Sequence, residues 1–293
     1  MRIVEFFHLK NKGLRFFLFS RIFIFILLWP NPGLAKTIFY GVGNDGYFTD
    51  VSGIETALSD SIGADRFSSF TYSNLAGTDI FNSTVALKPL LTPADTLVWY
   101  YSGHGGFFPD DVAGDETQSG SLALDSYDEA MGLQGNSDWL SDDKLATALD
   151  SLAGTTAGIL TIVDMCYAGG LVGGTSDLNS VSGLTFFGSS SELEFSYFFS
   201  NDSYSLFTDS LISGLSNWTA DSDNDGILMA SEWFHYSYDA TVASIDSQHP
   251  VFYGEDMMIA SQTPTPVPLP GTIFLLGSGL LSLRLGRKFK KEK

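Results

Sequence analysis

Apolar residues in this chain fall into short uninterrupted runs, separated by polar stretches with helical spacing. The clearest runs are Thr96–Ser102 (Thr-Leu-Val-Trp-Tyr-Tyr-Ser) and Gly158–Val163. Both are short for a helix and too evenly apolar for a strand with one wet face. Each therefore predicts a strand buried on both sides, as in a parallel sheet. Thr37–Val42, Phe67–Tyr72 and Leu184–Gly188 predict further strands. Between the strands, Val51–Ser59 has helical spacing, with Asp50 as its N-cap, and Asn82–Leu87 predicts at most a turn or two before Pro89. Leu140–Leu152 is amphipathic, with Asp142 and Asp143 following Ser141 in its first turn, and Tyr204–Leu215 is helical. Strands alternating with helices predict an α/β three-layer sandwich, a mostly parallel sheet covered by helices on both faces. In such sheets ligands bind beyond the carboxyl ends of the strands.

The two ends follow a different pattern. Residues 1–35 carry basic residues up to Arg15, an apolar run Phe16–Trp29 broken by Ser20 and Arg21, and then Gly33-Leu34-Ala35. That is the three-part form of a secretory signal peptide cut after Ala35. An uncleaved anchor is the alternative, disfavoured because Ile22–Trp29 is too short to span a bilayer. At the other end a Thr/Pro linker (residues 261–270) leads to an apolar segment (271–285) and a basic tail (286–293). The apolar segment is short for a span unless Arg284 snorkels, and the basic tail would stay cytoplasmic. Val267-Pro268-Leu269-Pro270-Gly271, the apolar helix and the Arg/Lys cluster together resemble the PEP-CTERM sorting signal of Gram-negative bacteria, with Leu269 where that motif carries Glu. The resemblance implies export, processing by an exosortase-type transpeptidase and attachment at the cell surface. A plain tail anchor is the other reading, and both tether an exported body through a membrane helix.

Charge sharpens the picture of the body, residues 36–260. Only Lys36, Arg66, Lys88 and Lys144 are basic between residues 36 and 283, whereas all but Glu5 and Glu292 of the 34 acidic residues lie there. Such a field repels phosphate backbones, which excludes nucleic acid as a partner of the body, and it favours cationic substrates and divalent cations. The chain has a single cysteine, Cys166, so an intramolecular disulfide is excluded.

Two strand ends carry candidate chemistry. The run Thr96–Ser102 is followed by Gly103-His104-Gly105-Gly106, which predicts a tight turn at the carboxyl edge of the sheet. Gly158–Val163 is followed by Asp164-Met165-Cys166-Tyr167-Ala168-Gly169. Parallel strands delivering an imidazole and a thiol to the same edge can form a nucleophile–base pair. These segments, Tyr100–Gly105 and Asp164–Gly169, resemble the His and Cys motifs of the caspase/metacaspase group of cysteine peptidases, His first. Leu124–Glu129, Ser141–Leu145, Phe187–Glu192 and Gln248-His249-Pro250 extend the likeness across roughly Thr37–Gly254, while Tyr167 and Ala168 stand where His and Ser are common.

The resemblance implies a caspase-like fold and cleavage of protein or peptide substrates, with Cys166 as nucleophile and His104 as acid/base. The N–H groups of Gly105 and Cys166 would hold the oxyanion. Ser189 and Ser190 would line the substrate pocket. Asp164 would lie at the base of an acidic primary pocket and select Arg or Lys; local hydrogen bonding to backbone is its alternative role. Since no Lys or Arg lies between Lys144 and Arg284, a basic-specific enzyme would stay a single chain. Two other readings are kept: a catalytically idle surface or matrix module of the same fold, and a legumain-type peptidase cleaving after Asn or Asp.

A further motif is Asp221-Ser-Asp223-Asn-Asp225-Gly226-Ile227-Leu-Met229-Ala-Ser-Glu232. It fits the twelve-residue calcium loop, with Asp221, Asp223, Asp225, the Ile227 carbonyl and Glu232 as ligands and a water opposite Met229. With no second loop to pair with, the expected Ca2+ role is structural, and Trp233–Tyr238 continues as a helix. The acidic stretch Asp110–Asp128 offers carboxylates for another calcium without diagnostic spacing. Gly41-Val-Gly43-Asn-Asp-Gly46 matches a dinucleotide fingerprint, but Asp45 would face the pyrophosphate, so it is read as a turn.

Overall fold

A computed structural model describes residues 35–109, 127–198 and 203–262. The rest of the expected signal peptide, the linker from residue 263, the apolar segment and the basic tail lie outside these residues, as do positions 110–126 of the acidic stretch. Among the described residues no helix is long and apolar enough to cross a membrane.

In chain order the elements are β1 (Thr37–Gly43), α1 (Phe48–Ile62), β2 (Phe67–Ser73), α2 (Gly77–Val85), β3 (Thr96–Ser102), β4 (His104–Pro109), β5 (Tyr127–Gly132) and β6 (Leu140–Ser141). They continue with α3 (Asp142–Asp150), β7 (Gly158–Asp164), β8 (Leu184–Gly188), α4 (Leu206–Leu215), β9 (Ile227–Met229), α5 (Ala230–Ser244), β10 (Val251–Gly254) and β11 (Met258–Ser261). Six strands form the central sheet in the order β2-β1-β3-β7-β8-β10. The first five are parallel, and β10 closes the edge antiparallel to β8.

Alternation along the central strands sorts their side chains onto two faces. Tyr40, Val42, Trp99 and Tyr101 face α2 and α3 and pack with Ile80, Leu145 and Leu149. Phe39, Val98, Tyr100, Leu160 and Ile162 face α1, α4 and α5 and pack with Leu58, Phe207, Leu211 and Trp233. The result is the three-layer α/β sandwich the sequence pattern predicts. Burying an aliphatic or Phe side chain such as Leu58, Leu160 or Phe187 contributes roughly 1.5–3 kcal/mol. Buried aromatic polar tips are satisfied: Trp99 Nε1 donates to Thr84 Oγ1 at 3.0 Å, and the Tyr100 hydroxyl meets Thr208 Oγ1 at 2.6 Å.

Several expected boundaries shift. The first helix begins at Phe48 with Tyr47 at the cap, so Asp50 lies inside the first turn and is not the N-cap. The second begins at Gly77, ahead of the expected Asn82, where Asp138 holds the first turn: its carbonyl accepts the Gly77 N–H at 2.8 Å and its carboxylate accepts the Thr78 N–H at 3.2 Å. His104 does not sit on an isolated turn. It opens β4, which pairs with β5, and β5 with β6, in a small antiparallel sheet beside the main one.

Candidate active site

The register of the central strands brings the two candidate segments together. In the β3–β7 ladder Ser102 is opposite Asp164, and the Gly103 N–H donates to the Asp164 carbonyl at 3.1 Å. His104 and Cys166 each stand two residues past that pair, at the carboxyl edge of neighbouring parallel strands. The backbone of Gly105 lies so close to Cys166 that a Cβ there would sit 2.2 Å from the Cys166 carbonyl oxygen. Only glycine permits this approach. The Tyr101 hydroxyl, 3.0 Å from the His104 carbonyl and accepting the Gly132 N–H at 3.2 Å, fixes the backbone where β4 leaves the sheet.

Cys166 is half-buried. Its Sγ lies 3.9 Å from the Ser196 carbonyl, within reach of a weak S–H donor. Burial pushes its pKa up, the Ser196 contact opposes that, and the Asp164 charge adds to it. Tyr167 follows with φ +66°, the sharp turn that ends the segment. Aromatic rings flank the edge: Tyr47 is edge-on to both His104 and Phe198, and Tyr167 contacts Phe107 and Phe195.

Asp164 is 3 % exposed, and both its oxygens are engaged. Oδ1 accepts from Ser196 Oγ at 2.6 Å; Oδ2 accepts from Ser205 Oγ at 2.5 Å, Thr208 Oγ1 at 2.7 Å and the Thr208 N–H at 3.1 Å. It thus caps the N-terminus of α4, where the helix dipole and free N–H groups favour an anion. Its partners are side chains and one distant N–H, not the neighbouring backbone of the alternative role. Asp50, wholly buried, is the second carboxylate: it accepts from Ser102 Oγ at 2.6 Å and the Ser205 N–H at 3.0 Å, and its Oδ2 lies 2.8 Å from Ser205 Oγ, whose single proton serves one carboxylate at a time. Burial, reinforced by the charge of Asp164, raises the Asp50 pKa to about 6. Two carboxylates thus share Ser205 beside the thiol, and among the described residues no cationic side chain bonds either one.

Ser189 and Ser190, expected to line the substrate pocket, are wholly buried and turned to the backbone around Cys166. Ser189 Oγ accepts the Met165 N–H at 3.1 Å and lies 3.0 Å from its carbonyl; Ser190 Oγ bonds the Met165 carbonyl at 3.1 Å and the Ala168 N–H at 3.3 Å. They brace the turn that presents Cys166. Gln248 is buried behind them, donating to the Ser189 carbonyl at 2.9 Å and accepting the Tyr197 N–H at 3.1 Å.

Among the described residues, two groups of carboxylates have the chemistry to hold a cation. Asp221, Asp223 and Asp225 bring oxygens within 4.8 Å of one another. Glu232 stands apart from them: Oε1 accepts from the Ser222 N–H and hydroxyl at 3.0 and 2.7 Å, and Oε2 accepts the Met229 N–H at 3.1 Å. The expected bidentate ligand is therefore a helix cap for α5 in this state. Ile227 sits in β9, paired with Ser261 of β11. Asp142, Asp143 and Asp177, all buried, form the second group.

Asp142 and Asp143 stand out in the sequence as first-turn residues within the Ser141–Leu145 likeness and not as cation ligands, and nothing local marks Asp177, Ser205, Thr208 or Ser196. These positions meet through the topology, and no local spacing signals them.

No protein-family model and no curated protein matches the chain. Among solved structures it is similar to protein GSU0716 from Geobacter sulfurreducens, with a TM-score of 0.53 and 17% identity, covering 79% of this chain and 95% of that one. The likeness is one of fold, and it defines the class: an α/β protein with a mostly parallel sheet between helical layers.

Proposed function

We propose that the protein is a cysteine endopeptidase acting through Cys166 and His104. The observation that carries this reading is the β3–β7 register, which sets a lone cysteine and a glycine-flanked histidine at one sheet edge, with the Gly105 backbone against Cys166. His104 takes the thiol proton as Cys166 Sγ attacks the scissile carbonyl, then gives it to the leaving amine, and later draws a proton from the water that releases the acyl group. The N–H groups of Gly105 and Cys166 are the oxyanion donors in this scheme; each such donor is worth roughly 3–4 kcal/mol in proteases. Cleavage after Arg or Lys follows from Asp50 and Asp164, a buried anionic pair whose partners are hydroxyl and N–H donors. In the same proposal residues 1–35 direct export, and the segment 271–285 tethers the body at the surface until a sorting enzyme acts on it.

The test is hydrolysis of fluorogenic peptides with Arg, Lys, Asn or Asp at the cleaved position, by the full chain beside Cys166→Ala and His104→Ala. Cleavage after Arg or Lys, abolished in Cys166→Ala and reduced by about 10²–10⁴-fold in His104→Ala, is expected. Cleavage after Asn or Asp would keep the dyad and replace the basic-specific pocket with a legumain-type one. A folded protein that hydrolyses none of these peptides would leave the idle module as the better reading.

A further inference from the structure

The loop between α4 and α5 is remote in sequence from both catalytic segments, and the proposed hydrolysis does not use it. Its three aspartates converge: the oxygens of Asp221, Asp223 and Asp225 lie within 4.8 Å of one another. Proximity alone does not make a site, because acidic turns are common. The second observation is Asp221 itself. It is only 7 % exposed, its Oδ2 accepts the Gly226 N–H at 3.0 Å, and its other oxygen, Oδ1, is buried with no hydrogen-bond partner. An unsatisfied buried carboxylate oxygen is costly, and one held beside two further carboxylates lacks a positive charge. Hard oxygen donors on a loop with Gly226 at φ +78° suit calcium better than magnesium, which demands a stricter octahedron.

The position of the loop says what an ion there would do. Its second half is β9, paired with β11 through Ile227–Ser261 and Met229–Met258. The Gly226 carbonyl accepts the Gln262 N–H at 2.8 Å, and the Ala230 N–H donates to the Met257 carbonyl at 2.8 Å. The Ser231 N–H and hydroxyl donate to Asp256 at 2.9 and 2.6 Å. Residues 256–262 are therefore stitched to this loop along their length, and they are the last stretch before the Thr/Pro-rich segment.

We propose that Asp221, Asp223 and Asp225 bind a divalent cation, calcium in preference to magnesium, and that the ion clasps β11 to β9 where the folded body passes into its C-terminal segment. The ion replaces the missing partner of Asp221 Oδ1 and locks the start of the hairpin. Glu232 either remains the cap of α5 or swings from Ser222 to the ion, and neither choice affects the clasp.

The experiment uses the full chain in detergent, stripped of metal, with terbium as the probe. Trp218 and Trp233, on either side of the loop in sequence, serve as luminescence donors. Saturable terbium emission is expected, displaced by calcium at concentrations where magnesium is ineffective. It should be lost in Asp223→Asn/Asp225→Asn, whose exposed positions leave the fold intact by circular dichroism, and kept in Asp177→Asn. Hydrogen exchange is the second readout. With calcium at ten times its dissociation constant, opening of the β9–β11 ladder should slow by about tenfold in the wild type and not in the double variant. Emission that survives in the double variant, or that is lost in Asp177→Asn, would overturn the site. Bound calcium with unchanged exchange at Leu228 and Ala260 would overturn the clasp.

Discussion

Gly105 shows how little room the edge of the sheet leaves. A methyl group there would stand 2.2 Å from the Cys166 carbonyl oxygen, a backbone atom that cannot swing away as a side chain would. Gly105→Ala must therefore move β4 or the Cys166 turn. Because displacements near 1 Å are enough to cost about a hundredfold in rate, peptidase activity should fall by at least that factor while the unfolding midpoint shifts far less. Asp50 makes a different prediction. Its pKa rises from 3.8 to about 6 on folding, so the native state binds a proton more tightly than the unfolded chain. The stability it contributes is complete below pH about 4 and is lost as pH rises to about 6, a span worth about 3 kcal/mol. Denaturant unfolding at stepped pH values should show that decline in the wild type and lack it in Asp50→Asn. An unchanged slope in the variant would reassign the titration.

At the scale of elements, the segment 189–198 is a brace for the Cys166 turn. The Glu194 carbonyl accepts the Tyr167 N–H at 2.8 Å, while its carboxylate takes the His249 N–H and Nδ1, both at 2.7 Å. Burial acts to raise the Glu194 pKa, but the bonds from the His249 side chain and backbone outweigh it and hold it low. A depressed carboxylate pKa gives stability that is present above the ordinary carboxylate range and lost as pH falls through the depressed value. The melting temperature of Glu194→Gln should lie below that of the wild type near neutral pH and converge with it in acid. Legibility followed the same division into elements. β3 and β7 were readable because both faces are buried and the runs Leu97–Tyr101 and Ile159–Val163 are unbroken. β4 was not, since Gly-His-Gly-Gly carries no strand signal and owes its conformation to pairing with β5. The dyad segments were visible because each follows its strand directly. The buried cluster of Asp50, Ser102, Asp164, Ser205 and Thr208 was not, because sequence spacing encodes local geometry and those residues meet only when α1 and α4 dock on one face. Ser189 and Ser190 were located correctly at a strand end, but which way a side chain turns there is set by the neighbouring Met165 backbone.

Taken as a whole, the molecule separates its charges. The described body is acidic, with its basic residues sparse and none between Lys144 and Arg284. If the pocket selects Arg or Lys, the enzyme has no site of its own liking in the 170–220 region, where a two-chain form would have to be cut. Electrophoresis and intact mass of the active protein should therefore show one uncut chain through that region; a fragment ending between residues 170 and 220 would argue against basic specificity.

The proposed catalytic pair also hangs from the two middle strands of the sheet, each flanked by a parallel neighbour on either side. Such strands release their amides only when the whole domain opens. Catalytic competence is thereby welded to global cooperativity: the protein should have no partly melted yet active form, and no folded form whose dyad has dispersed. Heat or denaturant should extinguish hydrolysis and near-ultraviolet circular dichroism along a single curve. An inactivation midpoint well below the unfolding midpoint would mean that the edge carrying His104 and Cys166 frays on its own.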